Sequence, residues 1–300
     1  MNMRVLILGG SGMLGHKVFE VLNGRFEAYA TFQSPAGGWT EFPMYADRSR
    51  AVPNVDVMRF ETVARAVEEV RPGAVINCVG IVKQLKAAHD PIPCITINAL
   101  FPHRLAELCA GLGARLVHMS TDCVFNGKRG NYTEDDPSDA EDLYGRTKHL
   151  GEVAGPGALT IRSSIIGRDF QRSTGLVEWF LSNRGKQVKG FRRAIYTGLT
   201  THAMAEMIAR LLADFPDLSG LWQIASEPIN KYDLLVRLRD AMKLDIRIEP
   251  DNAFFCDRSL SGAKFLARTG LRVPSWDEMI RGLAAESALY DDWRKRHGSA

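Results

Sequence analysis

Short, mostly apolar runs alternate with longer stretches in which apolar residues recur every three or four positions, and this alternation fills the first half of the chain. Residues 4–8, 26–31, 74–78, 115–119 and 159–162 are the short runs, and each predicts a strand. The stretches between them predict helices over 13–22, with Leu14, Val18 and Leu22 on one face, and over 60–70, 98–109 and 144–153. Strands separated by helices imply a parallel sheet covered on both faces, hence an α/β, doubly wound fold. Beyond Ile166 the pattern loosens. Residues 176–181, 203–212, 231–242 and 276–289 still carry helical spacing, and 221–225 reads as a strand. No Pro- or Ser-rich hinge and no internal repeat marks a boundary. The expected organisation is a sheet domain over residues 1–166 and a smaller lobe over 167–300. The two are interleaved, because a part at about 195–215 returns to the first.

Composition narrows the classes. Three hundred residues are ample for a buried core. A net charge of +3, without a long basic tract, offers nucleic acid no electrostatic footprint. The five cysteines are odd in number and lack a Cys-x-x-Cys pair, so they predict reduced thiols and not disulfides or zinc ligands. No apolar run is long enough for a leader peptide or a membrane span. A soluble, cytoplasmic protein with no nucleic-acid or membrane partner is expected.

The chemistry gathers at the ends of the predicted strands, where ligands of open α/β sheets bind. The first strand runs into GGSGMLG, and Gly9, Ser11, Gly12, Met13, Leu14 and Gly15 form the turn into the first helix. Glycines there let the backbone approach a pyrophosphate whose charge is met by a helix N-terminus, so the turn predicts a dinucleotide. The end of the second strand, Thr31-Phe32-Gln33-Ser34, lacks the acid that usually binds the ribose hydroxyls of NAD. A carboxylate would repel a 2′-phosphate, and its absence favours NADPH over NADH. Thr121 follows the strand over 115–119, and Tyr144 and Lys148 stand one helical turn apart. An ordinary phenol titrates near ~10, and a neighbouring cation favours its phenolate. Thr121, Tyr144 and Lys148 together suit proton transfer beside a hydride donor. Cys123 has no histidine partner and predicts a packed or substrate-facing thiol, not a nucleophile. The histidines show no metal-ligand spacing, and Glu134-Asp135-Asp136 before Pro137 reads as a solvated turn. Lys186, Lys189, Arg192 and Arg193 form a basic cluster that suits either solvent or substrate phosphates.

These strings resemble the extended short-chain dehydrogenase/reductase family, in its dTDP-4-dehydrorhamnose reductase branch, over nearly the whole chain. GGSGMLG is similar to the cofactor turn of that family's Rossmann domain, Asp56-Val57 to its adenine-binding pair, and Asn77-Cys78-Val79-Gly80 to the segment beside the ribose. STDCVFNG, YGRTKHLGE and IRSSIIG resemble the active-site strings, while GLTT, GLWQIASEPINKYDLL and DRSL resemble the substrate lobe. The resemblance implies Tyr144 as proton donor, Lys148 on the nicotinamide ribose and Thr121 orienting the carbonyl. It adds Cys78, Val79, Gly80, Asn98 and Ile165 to the cofactor contacts, and Cys123, Val124, Phe125, Arg192 and Arg258 to the substrate contacts. No metal is carried over. The implied activity is NAD(P)H-dependent reduction of a 4-keto group on a nucleotide-linked deoxy sugar, for deoxy-sugar or surface-polysaccharide synthesis. A sugar-nucleotide epimerase and a non-catalytic, cofactor-binding regulatory subunit are the alternatives. The implied partners are a nucleotide-sugar substrate and, in a homodimer, a second copy of the chain. The branch usually has Tyr where Cys123 stands and Trp where Ile165 stands. Losing both aromatics points away from the rhamnose precursor and towards another keto sugar nucleotide.

Overall fold

The central feature of the computed structural model, which describes residues 3–35, 38–83, 85–170 and 175–297, is a seven-stranded sheet. In chain order the strands and helices are β1 (Arg4–Leu8), α1 (Gly15–Asn23), β2 (Glu27–Thr31), β3 (Ala51–Val52), α2 (Phe60–Val70), β4 (Ala74–Asn77), α3 (Pro91–Cys94), α4 (Phe101–Gly111), β5 (Arg115–Met119), α5 (Leu143–Leu150), β6 (Ala158–Arg162) and β7 (Ile165–Ile166). There follow α6 (Leu176–Leu181), β8 (Gln187–Tyr196), β9 (Leu199–Thr200), α7 (Thr201–Asp214), β10 (Gly220–Gln223), β11 (Ile229–Asn230), α8 (Lys231–Ala241), β12 (Arg247–Asp257), α9 (Ala263–Thr269) and α10 (Trp276–His297). The large sheet is ordered β10-β6-β5-β4-β1-β2-β3, and every neighbouring pair in it is parallel. Strand order reverses between β1 and β4, which opens a crevice at their carboxyl ends. The fold is the doubly wound α/β one that the alternating pattern predicts.

Strand period explains the two-sided cover. Val5 and Ile7 of β1 join Ile76, Val117 and Ile161 in one core, against α1, α7 and α10. Leu6 and Leu8 join Val75 and Leu116 in a second core, with Val63 and Val67 of α2 and Leu105 of α4. Both faces are therefore buried, and β4 and β6 show no exposed residue along their length.

Several elements differ from the sequence-based expectation. The helix expected over 98–109 begins earlier, at Pro91, where Asp90 accepts a hydrogen bond from the Ile92 amide at 3.1 Å. Between α3 and α4 it widens into a π-helical turn over Ile95–Leu100. Pro102 offers no amide to the Asn98 carbonyl and crowds it, and a wider turn relieves that clash. Helix α10 runs to His297 because Tyr290 and Trp293 continue its buried face; the polar string around them masks the period. Strands β8 and β12, which pair in parallel beside β11, carry no alternation strong enough to announce them. Most of β12 is exposed, and its register shifts between Asp251 and Phe255.

Helix α10 is seated by buried charge. Arg168 donates to Glu178 at 2.8 Å, to Asp291 at 2.6 Å and to the Ser287 carbonyl at 3.0 Å. Arg294 donates to the other Glu178 oxygen at 2.7 Å. Glu178 is 1% exposed, so removing its carboxylate would leave two guanidinium groups short of a counter-ion. Glu178→Ala is expected to cost ~3–5 kcal/mol in urea unfolding, the usual penalty for breaking a buried pair. A loss below ~1 kcal/mol would show that this network does not seat the helix.

Candidate active site

The turn after β1 is built by close approach. Gly9 takes a φ of +85°, and the Gly12 amide donates to the Gly9 carbonyl at 3.0 Å. A Cβ on Gly15 would overlap that same carbonyl oxygen, so α1 starts this near the strand only with glycine there. Thr31 accepts from the Gly9 amide at 3.2 Å through its hydroxyl and from the Gly10 amide at 2.9 Å through its carbonyl. The Tyr45 hydroxyl donates to the Gly10 carbonyl at 2.7 Å. Ser11, Gly12 and Met13 keep exposed surface, whereas Leu14 turns its side chain into the core and offers only its backbone. The unpaired amides at the start of α1 make this end of the helix attractive to an anion.

The opposite wall of the crevice is the segment after β4. Cys78, Val79 and Gly80 are partly exposed, and Val79 Cγ2 lies 3.0 Å from the position of a Cβ on Gly9. Asn77 fixes the segment, accepting from the Val79 amide at 3.1 Å and meeting His118 Nδ1 at 3.0 Å. Burial holds His118 well below the ordinary histidine pKa, with the Lys148 charge adding to the effect. Asn98, an expected cofactor contact, lies behind this segment. Its side chain is 1% exposed, and both polar ends serve the Ile81 backbone, at 2.9 and 3.0 Å. Asn98 is a brace for the wall. Asp56 accepts from the Met58 amide at 3.0 Å and pairs with Arg59 at 3.4 Å, while Val57 packs on the α2 side of the sheet.

Thr121, Tyr144 and Lys148 converge where β5 meets α5. Asp142 caps α5 through the Gly145 amide at 2.7 Å and holds Lys83 at 2.6 Å. A Cβ on Gly145 would overlap the Cys123 carbonyl, so glycine lets the helix press against the loop that carries Thr121. Tyr144 is partly exposed as a residue, and its hydroxyl comes within hydrogen-bonding reach of Thr121. Thr121 Oγ1 also accepts from the Cys123 amide at 3.1 Å and lies 3.1 Å from Asp122. Lys148 is 5% exposed, and its ammonium donates to the Met119 carbonyl at 2.6 Å. Burial, only partly countered by Glu152, lowers its pKa from 10.5 to about 8. Burial raises the Tyr144 pKa above the ordinary phenol value, with Cys123 adding to the rise and Thr121 opposing it. The expectation that Lys148 draws the phenol towards neutrality is therefore corrected. The ammonium is turned to the Met119 carbonyl, and Tyr144 is a protonated phenol, the form that donates a proton.

Beside Thr121 lies a cavity of about 330 Å³, lined among others by Lys83, Cys123, Phe125, Asp142 and Arg258. Arg258 donates to the Phe125 carbonyl at 2.8 Å and approaches the Cys123 sulfur at 3.7 Å. Burial pushes the Cys123 thiol up to about 12, so it stays protonated at neutral pH. Ile165 is partly buried in β7 against the larger core. Of the other expected substrate contacts, Phe125 lines this cavity as well. Val124 is fully buried in a small cluster, and Phe125, also buried, stacks on Tyr132 at 4.1 Å; for Phe125 the carbonyl, not the ring, carries the link to Arg258. Arg192 lies over the Tyr232 ring at 4.8 Å, whereas Lys189 pairs with Asp251 and Arg193 covers Phe255. Alternation along β8 splits that basic cluster between two faces. Sequence reasoning missed Lys83 and the Glu152–Arg162 pair. Glu152 accepts two bonds from Arg162 and one from the Ser120 hydroxyl, all at 2.7 Å, and so ties the end of α5 to β5 and β6. The partners stand 10, 32 and 59 positions apart, and no regular spacing signals them.

The RmlD substrate binding domain family matches residues 3–189. The dTDP-4-dehydrorhamnose reductase of Streptomyces griseus is 32% identical over 152 residues, covering 50% of this chain and 44% of that protein. This chain thus spans less than half the length of that relative. Methionine adenosyltransferase 2 subunit beta of Xenopus tropicalis is 24% identical over 257 residues, covering 80% of this chain and 72% of that protein. The solved structure of dTDP-4-dehydrorhamnose reductase from Bacillus anthracis, in complex with NADP, superposes with a TM-score of 0.78 at 20% identity. That superposition covers 95% of this chain and all of the other, and shows the same fold.

Lys148 provides a direct check of the site's electrostatics. Its side-chain resonance, followed by NMR, is expected to titrate at about 8 and not at 10.5. Between those values the unfolded chain holds a proton that the folded one has lost, so Lys148 makes stability rise with pH in that window. Lys148→Met should flatten the rise. Titration of every lysine near ~10.4 would contradict the burial argument.

Proposed function

The chain belongs to the RmlD substrate binding domain family, and from that premise we propose that it reduces a keto group on a nucleotide-linked sugar with a nicotinamide dinucleotide. The observation that carries this reading is the convergence of Thr121, protonated Tyr144 and buried Lys148 on a sheet whose first strand ends in a glycine-built turn. The residues present fit such a cofactor: a cradle free of side chains at Gly9 and Gly12, open amides at the start of α1, and a buried lysine at the end of β5, two strands along the sheet from β1. The dinucleotide, when bound, supplies hydride. Ser11 and Met13 offer backbone donors to its diphosphate, and Lys148 offers its ammonium to a ribose hydroxyl. Tyr144 gives its proton to the carbonyl oxygen as negative charge grows there. Thr121 holds the same oxygen by a hydrogen bond, which also favours the phenolate left behind.

Arg258 and Lys83, at the cavity beside Thr121, suit the anionic part of a sugar nucleotide. Cys123 and Ile165 offer a sugar ring less contact than aromatic residues would. The preferred substrate in this reading is a keto sugar nucleotide other than dTDP-4-dehydrorhamnose. Free thiols throughout, Cys78, Cys94, Cys109, Cys123 and Cys256, accord with a cytoplasmic location. A second reading, a cofactor-binding regulatory subunit, has support from the similarity to methionine adenosyltransferase 2 subunit beta.

Tyr144→Phe separates the two. In a reductase it should lower kcat by ~10² or more while dinucleotide affinity stays within about threefold, because only the proton donor is lost. Activity near that of the unaltered chain would remove Tyr144 from the mechanism. The cofactor choice is tested independently. Gln33 is exposed at the end of β2, so a carboxylate placed there would face a 2′-phosphate. Gln33→Asp is expected to weaken NADPH selectively in isothermal titration, and a tenfold preference of the unaltered chain for NADH would contradict the NADPH reading.

A further inference from the structure

The residue that follows the last glycine of the turn is His16. It is fully buried, and the reaction proposed above does not use it. Its Nδ1 lies 2.8 Å from the Gly12 carbonyl oxygen, and its Nε2 lies 2.7 Å from the Tyr290 hydroxyl. A carbonyl only accepts, so Nδ1 carries the ring proton. Burial lowers the His16 pKa to about 3, so the ring is neutral and Nε2 must accept from the Tyr290 hydroxyl. Both hydrogen bonds therefore have a defined direction, from Tyr290 to His16 and from His16 to Gly12.

Tyr290 belongs to α10 and is itself fully buried. Its ring stacks on Phe170 at 4.3 Å, and Phe170 meets His16 edge-on at 5.1 Å. The Lys17 ammonium lies 5.7 Å from the Tyr290 ring centre and is held by Glu20 and Glu286, each at 2.7 Å. The Arg168 guanidinium, anchored on Glu178 and Asp291, lies 5.2 Å from the same ring. A tyrosine so enclosed cannot swing, so its hydroxyl is a fixed reference point for His16.

We infer that His16 and Tyr290 are positioning residues for the dinucleotide, which makes the last helix of the chain part of the cofactor site. His16 draws the Gly12 carbonyl towards α1, from its side chain at 2.8 Å and its own amide at 3.2 Å. The peptide is planar and trans, so the Met13 amide on its other side points out of the helix, where the diphosphate is received. Without His16 that peptide unit has one fewer constraint, and the donor it presents is less well aimed. This rests on the reading of the turn as a dinucleotide site.

The test compares dinucleotide affinity by calorimetry with steady-state kinetics in four variants, with thermal melts as a check of folding. His16→Ala and His16→Gln remove the donor at the Nδ1 position and should raise Kd and KM for the dinucleotide ~10-fold or more. kcat at saturation should stay within about threefold, because the reacting groups are untouched. His16→Asn, whose amide nitrogen reaches the Nδ1 position, should restore affinity to within about threefold. Tyr290→Phe keeps the ring stack and removes only the hydroxyl; a ~3–10-fold loss of affinity is expected. If His16→Ala does not fold, the contrast between His16→Asn and His16→Gln decides. Equal affinity in those two, with Tyr290→Phe unchanged, would overturn the positioning role. No dinucleotide binding by the unaltered chain would instead overturn the reading of the turn.

Discussion

The Glu152 carboxylate, gripped at both oxygens by Arg162 and at one by Ser120, holds the end of α5 against the ends of β5 and β6. The Tyr144–Thr121 pair depends on this contact. Arg162 is 2% exposed, so the pair works without water, and its two parallel bonds fix orientation as well as distance. A buried ion pair of this kind contributes little net stability compared with packed apolar groups. Its effect here is geometric: it sets the roll and height of a helix only two turns long. At the other end Gly145 permits contact with the Cys123 carbonyl, and Asp142 caps the helix while holding Lys83. Held at both ends, the helix delivers Tyr144 to Thr121 and Lys148 to the Met119 carbonyl.

Burial then assigns the protonation states. The same desolvation that keeps Tyr144 a phenol lowers Lys148 to about 8, so the ammonium sits within reach of neutral pH. A phenol that stays protonated at neutral pH is in the form that reduction requires of its proton donor. The family's sequence pattern says nothing about this balance. It arises from how deeply α5 is set into the sheet.

Much of the fold was legible because parallel strands buried on both faces leave a simple signature. β1, β5 and α2 fall where the pattern predicts them, as do their apolar faces. The turn and the Thr121, Tyr144 and Lys148 positions were legible for a related reason: each needs a particular residue at a particular offset from a strand end. What escaped notice was held by contacts distant in sequence. β12 is exposed and irregular, with Pro250, Asp251 and Asn252 in its middle. Strand alternation along β8 sets Arg192 over Tyr232, apart from Lys189 and Arg193, a division that the run of basic residues alone does not announce. The π-helical turn that carries Asn98 aims its amide at the Ile81 backbone, a contact that no sequence spacing announces. The His16–Tyr290 contact spans 274 positions of chain and leaves no local trace.

The central claim is that hydride passes to the carbon of a sugar carbonyl while Tyr144 supplies the proton. Dinucleotide deuterated at the transferable position of its reduced ring, incubated with a panel of keto sugar nucleotides, tests this most directly. The account predicts one deuterium on the former carbonyl carbon of the product, detected by NMR, in amounts equal to the oxidised cofactor formed. Product altered in configuration with no net oxidised cofactor would identify an epimerase. Tight dinucleotide binding with no deuterium transferred to any substrate would contradict the account and leave the regulatory reading.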